Sequence, residues 1–194
     1  MADDEIFTVE DLEALGELTL AAWGSALDRD WSVPAGTLEW SCLATADHTV
    51  DCVFSYALFL ASRKTDGYPA FDLLRALPEA GPADMLDGVR AVVGMLAATI
   101  RAAPGDARAT LFWDGGERVV VTGPAPFAPR GGLELVLHAH DVCAGLGVPF
   151  APPADVCARL LAATDGWPGA VDGWTPTGDP WSDLLTRSGR PAPS

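Results

Sequence analysis

Apolar residues recur at helical spacing in five stretches of the chain, four of them long. In the first, Leu12, Leu15, Leu18, Leu20, Ala22 and Trp23 form one stripe. Thr8 supplies an N-cap, Glu10 and Asp11 an acidic first turn, and Asp28-Arg29-Asp30 ends the helix near Leu27. Residues 31–36 hold Pro34 and Gly36 and predict a loop. The second stripe starts near Thr37 to Trp40 and runs to about Arg63. It is the most apolar of the set and is expected at the centre, with Asp47, His48 and Asp51 as its polar intruders. A turn at 65–69 follows, then a short helix is expected from Phe71 to Leu77. Pro82 and Asp84 open a third long helix that carries Met85, Val89, Val92, Val93, Leu96 and Ile100 and stops at Pro104-Gly105.

The period then changes. Ala109 to Trp113 and Glu117 to Val121, separated by Asp114-Gly115-Gly116, predict a β-hairpin. Pro124 to Arg130 is expected to be a Pro-rich loop feeding a fourth helix, Gly131 to Ala144, closed by Gly145 and Gly147. Pro152 and Pro153 start a fifth helix to about Thr164. In residues 165–194 only Trp181 to Thr186 has helical character. Trp167, Trp174 and Trp181 are expected to pack this extension onto the helices, since three exposed indoles would be costly. The expected organisation is one mainly α body over residues 1–164, with a small hairpin before the fourth helix and a Trp/Pro/Gly-rich extension at 165–194. Four long amphipathic helices with short and long connections predict a four-helix bundle.

The fourth helix carries the densest chemistry. Each helical residue turns the chain by about 100°, so Glu134 and His138, four apart, share a face. Asp141, three beyond His138, falls close to it, and His140 points away. Glu-x-x-x-His on an apolar helix is either a buried salt bridge or a pair of metal ligands. His48 is either a hydrogen-bonded core residue or a third ligand. Taken together they would supply two imidazoles and one carboxylate, a set that leaves a zinc-type ion an open position. Asp141 would hold a ligand ring, carry a proton, or pair with an arginine. Cys52, four beyond His48, shares its face.

Charge narrows the partners. Among the 194 residues the formal balance is −15, a field that repels phosphate backbones and anionic lipid. Neither nucleic acid nor membrane is an expected partner. No apolar run is long enough to cross a bilayer, and the acidic Met1 to Glu5 does not suit a secretory signal. A cytoplasmic protein is expected, with Cys42, Cys52, Cys143 and Cys157 reduced and behaving as small hydrophobes. No phosphate loop or nucleophile elbow is present.

Trp40-Ser41-Cys42-Leu43-Ala44-Thr45-Ala46-Asp47-His48 resembles the start of the second helix in DinB-like bundles, above all the N-terminal domain group of mycothiol-dependent maleylpyruvate isomerases. Glu134 to Gly147 is similar to that group's Glu-x-x-x-His-x-x-Asp helix with a Gly-containing cap, and Pro152-Pro153 and Asp183 to Pro191 also look like it. The resemblance implies a DinB-like antiparallel four-helix bundle. It implies a divalent metal, zinc or alternatively nickel, on His48, Glu134 and His138, and mycothiol as cosubstrate, with Asp141 assisting catalysis. The group's isomerase has a second, C-terminal domain, for which the 30 residues after the fifth helix are too few. His140 stands where the group usually has an aromatic. The expectation is therefore thiol-transferase or isomerase chemistry on a small electrophile, by a monomer or homodimer. The competing expectation is a non-catalytic helical bundle that binds a small molecule or partner, with the polar triad as a structural network.

Overall fold

In the computed structural model, which describes residues 6–71, 74–114, 117–167, 170–171 and 173–192, the chain is mainly helical. Four long helices, α1 (Val9–Gly24), α2 (Cys42–Ser62), α3 (Pro82–Ala102) and α4 (Phe127–Leu146), are followed by the shorter α5 (Ala154–Ala163) and α6 (Pro180–Arg187). Strands β1 (Arg108–Asp114) and β2 (Glu117–Thr122) form a two-stranded antiparallel sheet between α3 and α4. Both α1 and α2 lie against α3 and α4, so each apolar stripe is covered by two neighbours. The buried side chains form one cluster that includes Leu12, Trp23, Val53, Leu60, Leu96, Leu135 and Val142. Among the described residues no helix is long and apolar enough to cross a membrane.

Local chemistry sets the helix ends. Thr8 and Asp11 form a capping box, the Thr8 hydroxyl accepting the Asp11 N–H and the Asp11 carboxylate accepting the Thr8 N–H. α1 stops at Gly24, short of Leu27. Ser25 caps it, and Trp31 turns back, donating from its indole to the Ala26 carbonyl at 3.0 Å and meeting Trp23 edge-on. α2 begins at Cys42 rather than at 37–40, because the Ser41 hydroxyl accepts the Ala44 N–H and caps it. α4 starts earlier than the proline content suggests. Phe127 to Arg130 are already helical, since Pro129 falls in the first turn, where an N–H has no helical partner.

Gly145 does not close α4. It lies within the helix, where an added Cβ would stand 2.3 Å from the Pro34 carbonyl oxygen and 2.6 Å from the Cys42 sulfur. Gly147, with φ of 66°, is the left-handed cap. The missing Cβ at Gly145 therefore lets α4 touch the 31–36 loop and the start of α2.

The short helix expected over 71–77 is not formed by Phe71 or residues 74–77, and Asp72 and Leu73 lie outside the described residues. The acids on α2 explain this. Asp51 accepts the Leu74 N–H at 2.9 Å and Asp47 the Ala76 N–H at 2.8 Å, so the segment is pinned along the helix through backbone donors. In the hairpin, Arg108 pairs with Thr122 and Asp114 with Glu117, and the register shifts between Thr110 and Phe112. Gly115 and Gly116, the expected turn, lie outside the described residues.

The later elements are tied back by charge and by rings. Arg159 of α5 holds Asp11 of α1 through two hydrogen bonds, 2.7 and 3.0 Å. Trp181 of α6 is buried against His140 and Phe150. Trp167 is half-buried beside Phe112, whereas Trp174 bonds within the extension, to Thr186. All four cysteines are free, and Cys42, Cys143 and Cys157 are buried.

Two substitutions check this packing. Gly145→Ala is expected to lower unfolding stability by about 2 kcal/mol or more, since backbone and sulfur must both give way; a urea titration measures it. Burial pushes the Asp11 carboxyl up, but Arg159 and the Thr8 N–H hold it below the usual aspartate range. A lowered pKa adds stability that is complete above the unfolded aspartate value, about 3.9, and is lost as pH falls through the folded value. Asp11→Asn is therefore expected to lower the melting temperature at pH 7, and the gap to wild type should close in melts taken toward pH 2.

Candidate functional site

The residues singled out on α2 and α4 meet on one side of the helical body. The His48 and His138 rings stand edge to face with centroids 5.1 Å apart. On its other side His48 meets Trp40, 5.0 Å away, an indole that is 51% exposed. Glu134 Oε2 lies 3.6 Å from His138 Nε2, one helical turn apart. Asp141, buried to 2% exposure, lies with Oδ2 3.2 Å from His138 Nδ1. Each nitrogen of the His138 ring thus faces a different carboxylate.

Each carboxylate also has an arginine. Arg130 NH2 is 3.0 Å from Glu134 Oε1, and Arg130 Nε donates to the Tyr56 hydroxyl at 2.8 Å. Tyr56 in turn donates to Glu134 Oε1 at 3.2 Å. The Arg130 guanidinium lies 5.3–5.7 Å from the ring centres of Phe112, Trp167 and Tyr56, a box of three aromatic faces. At the other end Arg190 donates to both oxygens of Asp141, at 2.8 and 2.6 Å. The result is a continuous chain, buried at Tyr56 and Asp141 and half-buried at its other members: Tyr56, Arg130, Glu134, His138, Asp141, Arg190.

The charges follow from these contacts. Burial pushes the Glu134 carboxyl up, but the His138 hydrogen bond and the Arg130 charge reverse this and hold its pKa at about 2. Burial pulls His138 down, while its bonds to Asp141 and Glu134 raise it above the ordinary histidine value. His48 is lowered, first by burial and then by the neighbouring His138. Of the two imidazoles it is the one that burial and its neighbour turn against carrying a proton. The Cys52 sulfur lies 3.4 Å from His48 Nε2, and burial pushes its thiol up, which keeps it protonated. His140 packs outward against Trp181.

Among the described residues, no three or more His, Cys, Asp and Glu side chains are grouped to hold a metal ion. Glu134 instead spends its oxygens on Tyr56, Arg130 and His138. The donor chemistry still suits a borderline cation. There are two imidazoles and an ionised carboxylate, and Asp141 engages the far nitrogen of His138 in the manner that orients ligand histidines.

A cavity of about 240 Å³ opens beside Glu134 and His138, lined also by Arg130, Trp167, Arg187 and Arg190. A second, more open recess lies on the far side of the two histidines, against Leu38, Glu39 and Trp40. Sequence reasoning did not find Tyr56, Arg130, Arg187 or Arg190. Arg130 alone carried a local signal, its i,i+4 spacing to Glu134, hidden by the prolines around it. The bidentate pair to Arg190 spans 49 positions, and no spacing rule reaches that far.

Removing Asp141 tests the chain of charges. Asp141→Ala would leave the half-buried Arg190 without its counter-ion, and the expected loss is about 2–4 kcal/mol in a urea titration. Limited proteolysis should cut the segment after α6 sooner. No family model, curated protein or solved structure matches this chain.

Proposed function

We propose that α1 to α4 form a DinB-like antiparallel four-helix bundle whose His48, Glu134 and His138 hold a divalent cation of the zinc type, nickel being the alternative. On this reading the protein is a thiol-using transferase or isomerase for a small electrophile, with mycothiol as the thiol and the cavity beside His138 as the place of reaction. The observation that carries the reading is the pairing of the His48 and His138 rings across α2 and α4, with Glu134 at one nitrogen of His138 and Asp141 at the other.

The chain's own residues have defined tasks. Asp141 sets the His138 ring angle and tautomer, directing Nε2 toward Glu134. Arg190 keeps Asp141 ionised for that purpose. Arg130 and Tyr56 keep Glu134 ionised at any physiological pH and hold its Oε1, leaving Oε2 turned to the histidines. Trp40 and Cys52 flank His48. A zinc-type ion held by His48, Glu134 and His138 would supply Lewis-acid chemistry that makes a thiolate available at neutral pH.

One observation favours a second reading. Glu134 already has three protein partners, so the triad could be a finished structural network in a non-catalytic bundle that binds a small molecule or partner. Metal separates the two. Protein purified without chelator is expected to carry near-stoichiometric zinc or nickel, to lose it in a His48→Ala/His138→Ala double variant, and to melt higher when zinc is restored. Equally negligible metal in wild type and double variant would sink the catalytic reading. The structural network predicts that His138→Ala lowers stability while metal leaves melting unchanged. With metal present, consumption of mycothiol against a panel of electrophiles measures the activity.

A further inference from the structure

Among the described residues, one cation that lines the cavity beside His138 has no paired carboxylate. Arg130 is matched there by Glu134, and Arg190 is matched by Asp141. Arg187, from the last turn of α6, also lines the cavity and is only 8% exposed. Among the described residues it has no carboxylate within ion-pair distance. One terminal nitrogen donates to the Leu161 carbonyl at 3.2 Å and the other to the Thr164 hydroxyl, both neutral acceptors at the end of α5. Burial pulls its pKa down and the exposed Asp165 offsets part of this, but a guanidinium stays charged. In a chain whose formal charge is −15, a buried guanidinium with no counter-ion among the described residues is unusual. Such a charge is costly to keep, and the fold keeps it facing an open cavity rather than solvent.

We propose that this cavity binds a small organic carboxylate, with Arg187 as the residue that recognises the carboxyl group. Arg187 brings one positive charge that no described carboxylate pairs, and one carboxylate matches it. A phosphate dianion carries twice that charge and would meet Glu134, which lines the same cavity. The two neutral acceptors take only part of the five-donor guanidinium fork, and a planar carboxylate suits what is left of it. Leu133, Leu137 and Leu184 line the same space and suit an apolar body behind the carboxyl group. The carboxylate site itself stands on Arg187 and the cavity. Only the further point, that the ligand's other end reaches His138 and is the electrophile of the reaction, rests on the function proposed above.

Calorimetric titration of the full chain with benzoate, its neutral isostere benzamide and inorganic phosphate tests the site, both after chelator treatment and after loading with zinc. Benzoate is expected to bind saturably in both preparations, and at least roughly tenfold more tightly than benzamide or phosphate. Arg187→Met should abolish the preference for benzoate over benzamide, and Arg187→Lys should retain part of it. Equal affinity for benzoate and benzamide, no saturable benzoate binding, or wild-type benzoate affinity in Arg187→Met would each overturn the proposal. If Arg187→Met does not fold by circular dichroism, the wild-type comparison and Arg187→Lys decide. Benzoate binding in protein that takes up no zinc would leave this site standing and remove the metal-dependent reading. Zinc uptake without benzoate binding would do the reverse.

Discussion

Asp141 is an ionised carboxylate sealed inside an apolar helix interface, and the structure on both sides of it depends on how that charge is satisfied. Arg190 supplies two short bonds and His138 a third contact. A buried carboxylate with such partners holds its neighbours in one geometry, because any partner that leaves exposes an uncompensated charge to a low dielectric. This ties the segment after α6 to the middle of α4. The same condition passes along the helix. His138 faces Glu134, Glu134 is held by Arg130 and Tyr56, and Tyr56 belongs to α2. One line of alternating charge therefore joins α2, α4 and the C-terminal extension.

The exposed pairs elsewhere contribute differently. Arg101 reaches Glu10 and Glu13 across α3 and α1 with good distances, yet water and salt screen them and they add little. The bond from Arg159 to the buried Asp11 matters more, because Asp11 is also the partner of Thr8 in the cap of α1. The apolar cluster supplies the bulk of the driving force, as expected of four stripes each covered on two sides. The ionic line does not add to that bulk so much as choose a single register for α2, α4 and the extension.

Much of the helical content was legible. The stripes of Leu12 to Trp23 and Met85 to Ile100, the Thr8 cap and the hairpin all appear where periodicity and turn chemistry put them. The misplacements share a cause. The prolines of Phe127 to Arg130 point to a loop, yet a proline in a first turn costs a helix nothing. Local composition points to a helix over Phe71 to Leu77, yet Asp51 and Asp47 of α2 take the backbone donors of Leu74 and Ala76. Gly145 has the composition of a helix stop, yet it lies inside α4 in contact with Pro34 and Cys42. Local rules see propensity and miss a partner that arrives through tertiary packing.

For the site, the sequence by itself determined what one helix can determine. Helical rotation puts Glu134, His138 and Asp141 on one face and turns His140 away, because side chains three and four apart are neighbours whatever else the chain does. The identity of the other partners was decided by the tertiary structure. His48 comes from α2, Tyr56 from the same helix two turns on, and Arg187 and Arg190 from the end of the chain. Those distances in sequence carry no phase information, so only the packing of α2, α5 and α6 around α4 could bring these charges to one cavity and leave Arg187 without a carboxylate partner among the described residues.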